Sequence, residues 1–217
     1  MLDTENCKGF DPAWQHDKYD KWSTIDTTPE NLEDKEILLR YRELLSHYTD
    51  KPNCQSHRNK NAYVPSKDTI LYVPVKRWDK VEDFVSTMCH EIIHSTGHSK
   101  RLNRATVMEG HSFGSVQYSV EELIAELGAA FLCQYIGILP SQVENSAAYL
   151  QSWIAALEND ERLIFKAAVQ AQKAVDYIFK EQNEDTKIWC SCLFAQILDG
   201  SLSRLFLSCF DLVLDLL

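Results

Sequence analysis

The residues best placed to do chemistry are His90, Glu91 and His94, in the run His90-Glu91-Ile92-Ile93-His94. Residues four apart share one face of an α-helix, so both imidazoles can reach one ion. Neutral imidazole nitrogen suits zinc, at about 2.0–2.1 Å. Glu91 lies about 100° round the helix from His90, beside such an ion and not on it. From there it could take a proton from a water that the ion acidifies, while the ion polarises a carbonyl. Five-residue matches also arise by chance, and the bland reading is two histidines satisfied by ordinary hydrogen bonds. The surroundings favour the ion: Val81, Phe84, Val85, Met88 and Ile92, with Cys89 and Ile93, keep off the histidine face.

A catalytic zinc needs a third protein ligand. A metzincin would supply a histidine at position 100, where Lys100 stands, which excludes that class. His98 directly follows Gly97, has left the helix, and reads as a residue that orders a loop or supports a ligand by a hydrogen bond. Glu122 and Glu126 are the better candidates, four apart on a helix apolar on nearly every side past residue 122. An ionised carboxylate buried there must be paired or metal-bound. Ser119 and Glu122 also fit a capping box, in which Glu122 only closes the helix start. Structural zinc usually takes four protein ligands, and with three good candidates and an intact Glu91 an open, working position is the better fit. Tyr118 and His111, just ahead of this helix, could each donate to a developing oxyanion. Gly110-His-Ser-Phe-Gly114 matches a nucleophile elbow but is a decoy. No strand precedes it, and all seven histidines lie at or before His111, so no later base exists.

Several elements must position these groups. Ile37, Leu38, Tyr41, Leu44 and Leu45 mark a helix over 35–48. A turn-rich stretch follows, then AYVPS and TILYVPV, a short hairpin about Lys67-Asp68 whose prolines suggest edge positions. The histidine helix is expected over 79–96 with Gly97 as its stop, and residues 98–117 read as loop. The glutamate helix is expected from near Ser119 to Tyr135 or Ile136, closed by Gly137 and Pro140. Two more helices are expected, at about 145–157 and 160–180. The organisation is an irregular lead-in over 1–34, an α+β, helix-dominated domain over 35–183 with a small sheet beside the histidine helix, and an unassigned apolar tail over 184–217.

Composition narrows the function classes. The 217 residues can bury a sizeable core, and 45% apolar with 25% charged residues is ordinary for a globular chain. A net charge of −10 argues against a broad phosphate-binding face. The basic clusters Lys76-Arg77 and Lys100, Arg101 and Arg104 read as solvated surface charge. Seven cysteines in no regular spacing, with no CxxC pair, suggest free thiols in a reducing cytoplasm. The polar, acidic start is no signal peptide, and no uninterrupted apolar run is long enough for a membrane span.

Several separate segments agree in order with a known family. The run HEIIHSTGHSKRLNR, then FGS, YSVEELIAELGAAFL, NSAAYLQSWIAAL and KAAVQAQKAVDYIF, with NAYVPSKDTILYVP upstream, resembles the zincin-like metallopeptidase domain of ArdC-type antirestriction proteins over roughly residues 35–181. The resemblance implies a zincin-like metallopeptidase fold holding Zn2+ through His90, His94 and Glu122, with Glu126 steadying a ligating histidine and Glu91 as general base. It implies hydrolysis of a peptide or protein substrate, and a link to mobile elements and to protection of incoming DNA from restriction. The alternative is a metal-containing binding protein that acts by occupying a restriction enzyme or another partner. Complete members carry an N-terminal single-stranded-DNA-binding domain that this sequence does not resemble, so no direct nucleic-acid binding is expected. The tail, broken by Asp199, Arg204, Asp211 and Asp215, reads either as one or two amphipathic helices docking on the domain, on a partner or on a second copy, or equally as a non-native end from a disrupted reading frame.

Overall fold

A computed structural model describes residues 32–108, 115–138 and 162–179. Its elements are α1 (Leu32–His47), β1 (Asn53–Ser56), β2 (Ala62–Val64), β3 (Thr69–Tyr72), α2 (Val81–Thr96), the single turn α3 (Ala105–Met108), α4 (Val116–Ile136) and α5 (Leu163–Ile178). Helices form the body and a three-stranded sheet lies at its margin, the helix-dominated α+β class that the periodicities implied. Helix α1 starts at Leu32, so a lead-in ending at residue 34 cuts its first turn. The helix expected at 145–157, the Gly110–Gly114 loop with His111, and the 184–217 tail lie outside the described residues. Among the described residues no helix is long and apolar enough to cross a membrane.

Helix α2 packs against α1, α4, α5, β2 and β3. Phe84, Val85, Met88, Cys89, Ile92 and Ile93 are fully buried on it. Burying each large apolar side chain contributes about 1.5–3 kcal/mol. Burial therefore holds this helix, since its N-cap, Lys80, makes no capping side-chain bond. At its other end Gly97 keeps a right-handed backbone, φ −75°. Glycine is needed there for space: a Cβ would lie 2.4 Å from Val107 Cγ2 and 3.0 Å from Arg104 Cζ.

Helix α4 starts earlier than expected. Ser115 is its N-cap and accepts from the Tyr118 N–H at 3.2 Å. Ser119 sits inside the helix and donates to the Ser115 carbonyl at 3.1 Å. The capping box is thereby overturned, and Glu122 is no part of the helix start. Gly137, at φ +84°, ends α4 in the left-handed conformation. Helices α2 and α4 approach closely at Gly128, where a Cβ would lie 2.8 Å from Cδ1 and Cγ1 of Ile93.

Strands β2 and β3 form the expected antiparallel hairpin, with Tyr63 opposite Ile70. Its turn passes through a 3-10 segment, Pro65–Lys67, to Asp68 at φ +46°. The turn-rich stretch before it contains β1, which runs parallel to β3 with Cys54 opposite Ile70. The order β1-β3-β2 makes β3 central, so its proline marks no edge: Pro65 and Pro74 fall just outside the strands.

The basic cluster after α2 is corrected too. Lys100 is exposed, but the Arg101 side chain is 2% exposed and Arg104 is buried. Arg101 donates to the Asp68 carboxylate, to the Tyr63 hydroxyl at 3.1 Å and to the Ser95 carbonyl at 2.6 Å. It thus fastens the hairpin turn to the end of α2.

Candidate metal centre

His90 and His94 project from adjacent turns of α2 toward α4, where Glu122 meets them. The two Nε2 atoms are 3.0 Å apart. Glu122 Oε2 is 3.5 Å from His90 Nε2, and its Oε1 is 3.7 Å from His94 Nε2. Among the described residues these three form the one cluster of possible ligand atoms lying within 4.8 Å of one another. A tetrahedron with bonds of about 2.0–2.1 Å has edges of roughly 3.3 Å, so the spacing fits a small ion.

The far edges of both rings face carboxylates. His94 Nδ1 is 3.1 Å from Glu121 Oε1, and His90 Nδ1 is 3.4 Å from Glu126 Oε1. The second contact is longer than a well-formed hydrogen bond, and His90 Nδ1 is buried with no closer partner. Carboxylates accept and do not donate. Each Nδ1 is therefore the natural site of the ring proton, which leaves two Nε2 lone pairs pointing at each other. Such a pair is repulsive unless a proton on one ring or a metal ion lies between them, so the donor set can hold a metal.

The surroundings are negative. Burial works against a charge on His90, yet Glu122, Glu126 and Glu91 outweigh it and hold its pKa well above the ordinary value. For Glu122, burial is likewise outweighed by His90, His94 and a hydrogen bond from Tyr118, and its pKa is lowered. For Glu121, burial is outweighed by His94 and Arg104, and its pKa falls to about 2.

Glu91, also buried, is turned toward the sheet. Its Oε2 accepts the Tyr63 backbone N–H of β2 at 2.6 Å, a bond that fixes the direction of the carboxylate. His98 lies apart from this group: its Nδ1 accepts the Lys100 N–H at 3.2 Å and stands 4.0 Å from Asp68, so it orders the loop. Sequence reasoning missed Glu121 and Tyr63. One signal pointed to a partner for Glu121: α4 holds three glutamates and no lysine or arginine, so its buried acids must find a cation on another element.

The chain belongs to the zincin-like metallopeptidase family, whose pattern matches residues 45–170. The chain is also similar to the antirestriction protein ArdC of the R388 plasmid. The Mn(II)-bound ArdC structure superposes with a TM-score of 0.55 at 33% identity, covering 71% of this chain and 53% of ArdC. The metal-free ArdC structure gives 0.53 at 34% identity, covering 70% and 51%. A DNA primase TraC of Escherichia coli is 38% identical over 116 residues, which is 54% of this chain and 11% of TraC. The chain thus spans about half the length of ArdC and about a tenth of TraC.

Proposed function

We propose that the chain is a zinc-dependent metallopeptidase that works in the cytoplasm, with His90, His94 and Glu122 as metal ligands and Glu91 as general base. The observation that carries this reading is the triangle of His90 Nε2, His94 Nε2 and Glu122 at 3.0, 3.5 and 3.7 Å, with the buried Glu91 beside it. ArdC, described in an Mn(II)-bound form, supports a divalent ion in this chain, and a three-residue set of two histidines and a glutamate is one that zinc takes in hydrolases. A bound zinc supplies Lewis acidity toward a water and a carbonyl oxygen. Glu91 accepts the proton that the attacking water gives up and passes it to the leaving amine. The Tyr63 N–H holds one Glu91 oxygen, which leaves the other to meet the water. Tyr118, bonded to Glu122, helps to set that ligand's direction. The substrate is a peptide or protein, and the similarity to ArdC links the activity to antirestriction on a mobile element.

Two variants test the assignment. His90→Ala should lower bound zinc from near one per chain to near none, read by metal analysis. Glu91→Gln should keep the zinc and lose about 10²–10⁴-fold in peptide hydrolysis, the usual share of a general acid–base group. Equal hydrolysis by wild type and Glu91→Gln would remove the general-base role. Antirestriction that survives Glu91→Gln but disappears in His90→Ala would establish the binding-protein reading instead.

A further inference from the structure

Glu121 and Glu122 are neighbours in sequence, yet only Glu122 joins the triangle. The reason lies in what Glu121 already holds. Its Oε1 accepts from Arg104 Nη2 at 2.6 Å and lies 3.1 Å from His94 Nδ1. Its Oε2 accepts from Arg104 Nε at 3.1 Å and from the Thr106 hydroxyl at 2.5 Å. A carboxylate has about four acceptor positions, and all four are used. Arg104 is held in turn, donating to Thr96 Oγ1 at 2.7 Å and to the Ile93 carbonyl at 2.9 Å. Both partners of the pair are 6% exposed at the side chain. This unit spans the end of α2, the α3 turn and the first turns of α4, and among the described residues His94 is the imidazole it meets.

We propose that Glu121, backed by Arg104, is a positioning residue for the metal site: it keeps the proton of His94 on Nδ1 and turns Nε2 toward the ion. The inference rests on the reading of His94 as a ligand. It also explains why the first of two adjacent glutamates is not the third ligand. Arg104 occupies Glu121 bidentately and cancels its charge, so Glu121 supports the imidazole without drawing the ion toward itself. A bystander ion pair would satisfy Arg104 equally well with no histidine at its edge. Partners that fix a ligating histidine through its other nitrogen typically contribute 10–100-fold in metal affinity.

The test is zinc affinity by competition with a chromophoric chelator, for wild type and Glu121→Gln, with circular dichroism to establish folding. The expected result is a 10–100-fold weaker affinity in the folded variant. A folded Glu121→Gln protein that binds zinc within twofold of wild type overturns the proposal. A second measurement needs no variant: two-bond 1H–15N spectra of the metal-free wild type, at a pH where His94 is neutral, should show its proton on Nδ1. A proton on Nε2 overturns the proposal, and this reading decides if Glu121→Gln fails to fold. Wild type that binds no zinc would sink the metallopeptidase reading, and the tautomer would still test what Glu121 does to His94.

Discussion

Arg101 and Arg104 stand one turn apart in the same loop, and each buries its guanidinium against a carboxylate. Their destinations differ. Arg101 reaches Asp68 and Tyr63 on the hairpin, a group that touches no member of the ligand triangle. Arg104 reaches Glu121, which also meets His94 and Thr106. One loop therefore ties down two things at once, the sheet margin through its first arginine and, through its second, the carboxylate that meets His94. The lesson is that two buried guanidinium–carboxylate pairs need not have equal roles. What decides is whether the carboxylate has a further partner that does chemistry.

The comparison can be broken by removing one guanidinium at a time. Arg104→Met should have the larger effect. It leaves Glu121 charged and buried without its partner, a loss of about 3–5 kcal/mol, read as a shift in the urea midpoint. It should weaken zinc binding as well. Arg101→Met should cost less, about 1–3 kcal/mol for charge-assisted hydrogen bonds to a carboxylate that keeps some contact with water. Its zinc affinity should match wild type within twofold, by the same chelator competition. A large loss of zinc in Arg101→Met, with none in Arg104→Met, would reverse the two roles.

Acid sharpens the contrast by a smaller margin. Glu121 titrates at about 2, below its ordinary value of 4.5, so its share of stability is full above about pH 4.5 and is lost as pH falls toward 2. Burial works against the charge of Asp68, but Arg101 and Tyr63 outweigh it and hold its pKa below the ordinary 3.8. Its share is lost only below that pH. In urea titrations with a chelator present, Glu121→Gln should flatten the acid slope from about pH 4.5 downward, and Asp68→Asn only below about 3.8. An unchanged slope in both variants would show that neither pair stabilises the native state.

Much of this arrangement is legible in the sequence. The spacing of His90, Glu91 and His94 puts two imidazoles on one face, and the apolar flanks place that face on a helix. Glu122 and Glu126 stand out because their neighbours are apolar. Glu121 does not, because its meaning depends on Arg104, 17 residues away across a turn. Nor does periodicity show an arginine folded back over a glycine: the space at Gly97 becomes visible only in three dimensions. Strand β1 escaped for a different reason. Its alternation covers four residues, Asn53–Ser56, too short to stand out from a polar turn, and its pairing with β3 is non-local.

The missing side chain at Gly128 gives the centre a caliper. Ile93 fills the space where a methyl group would stand, one residue before His94 and on the helix that carries both imidazoles. The spacing of α2 and α4 at this level is thus set by how closely the Ile93 side chain lies on the bare backbone of Gly128. An alanine at position 128 would force the Ile93 side chain, or the two helices, to shift. In the proposed metal site such a shift would move the α2 imidazoles relative to Glu122, so the fit to an ion depends on a side chain that position 128 leaves out.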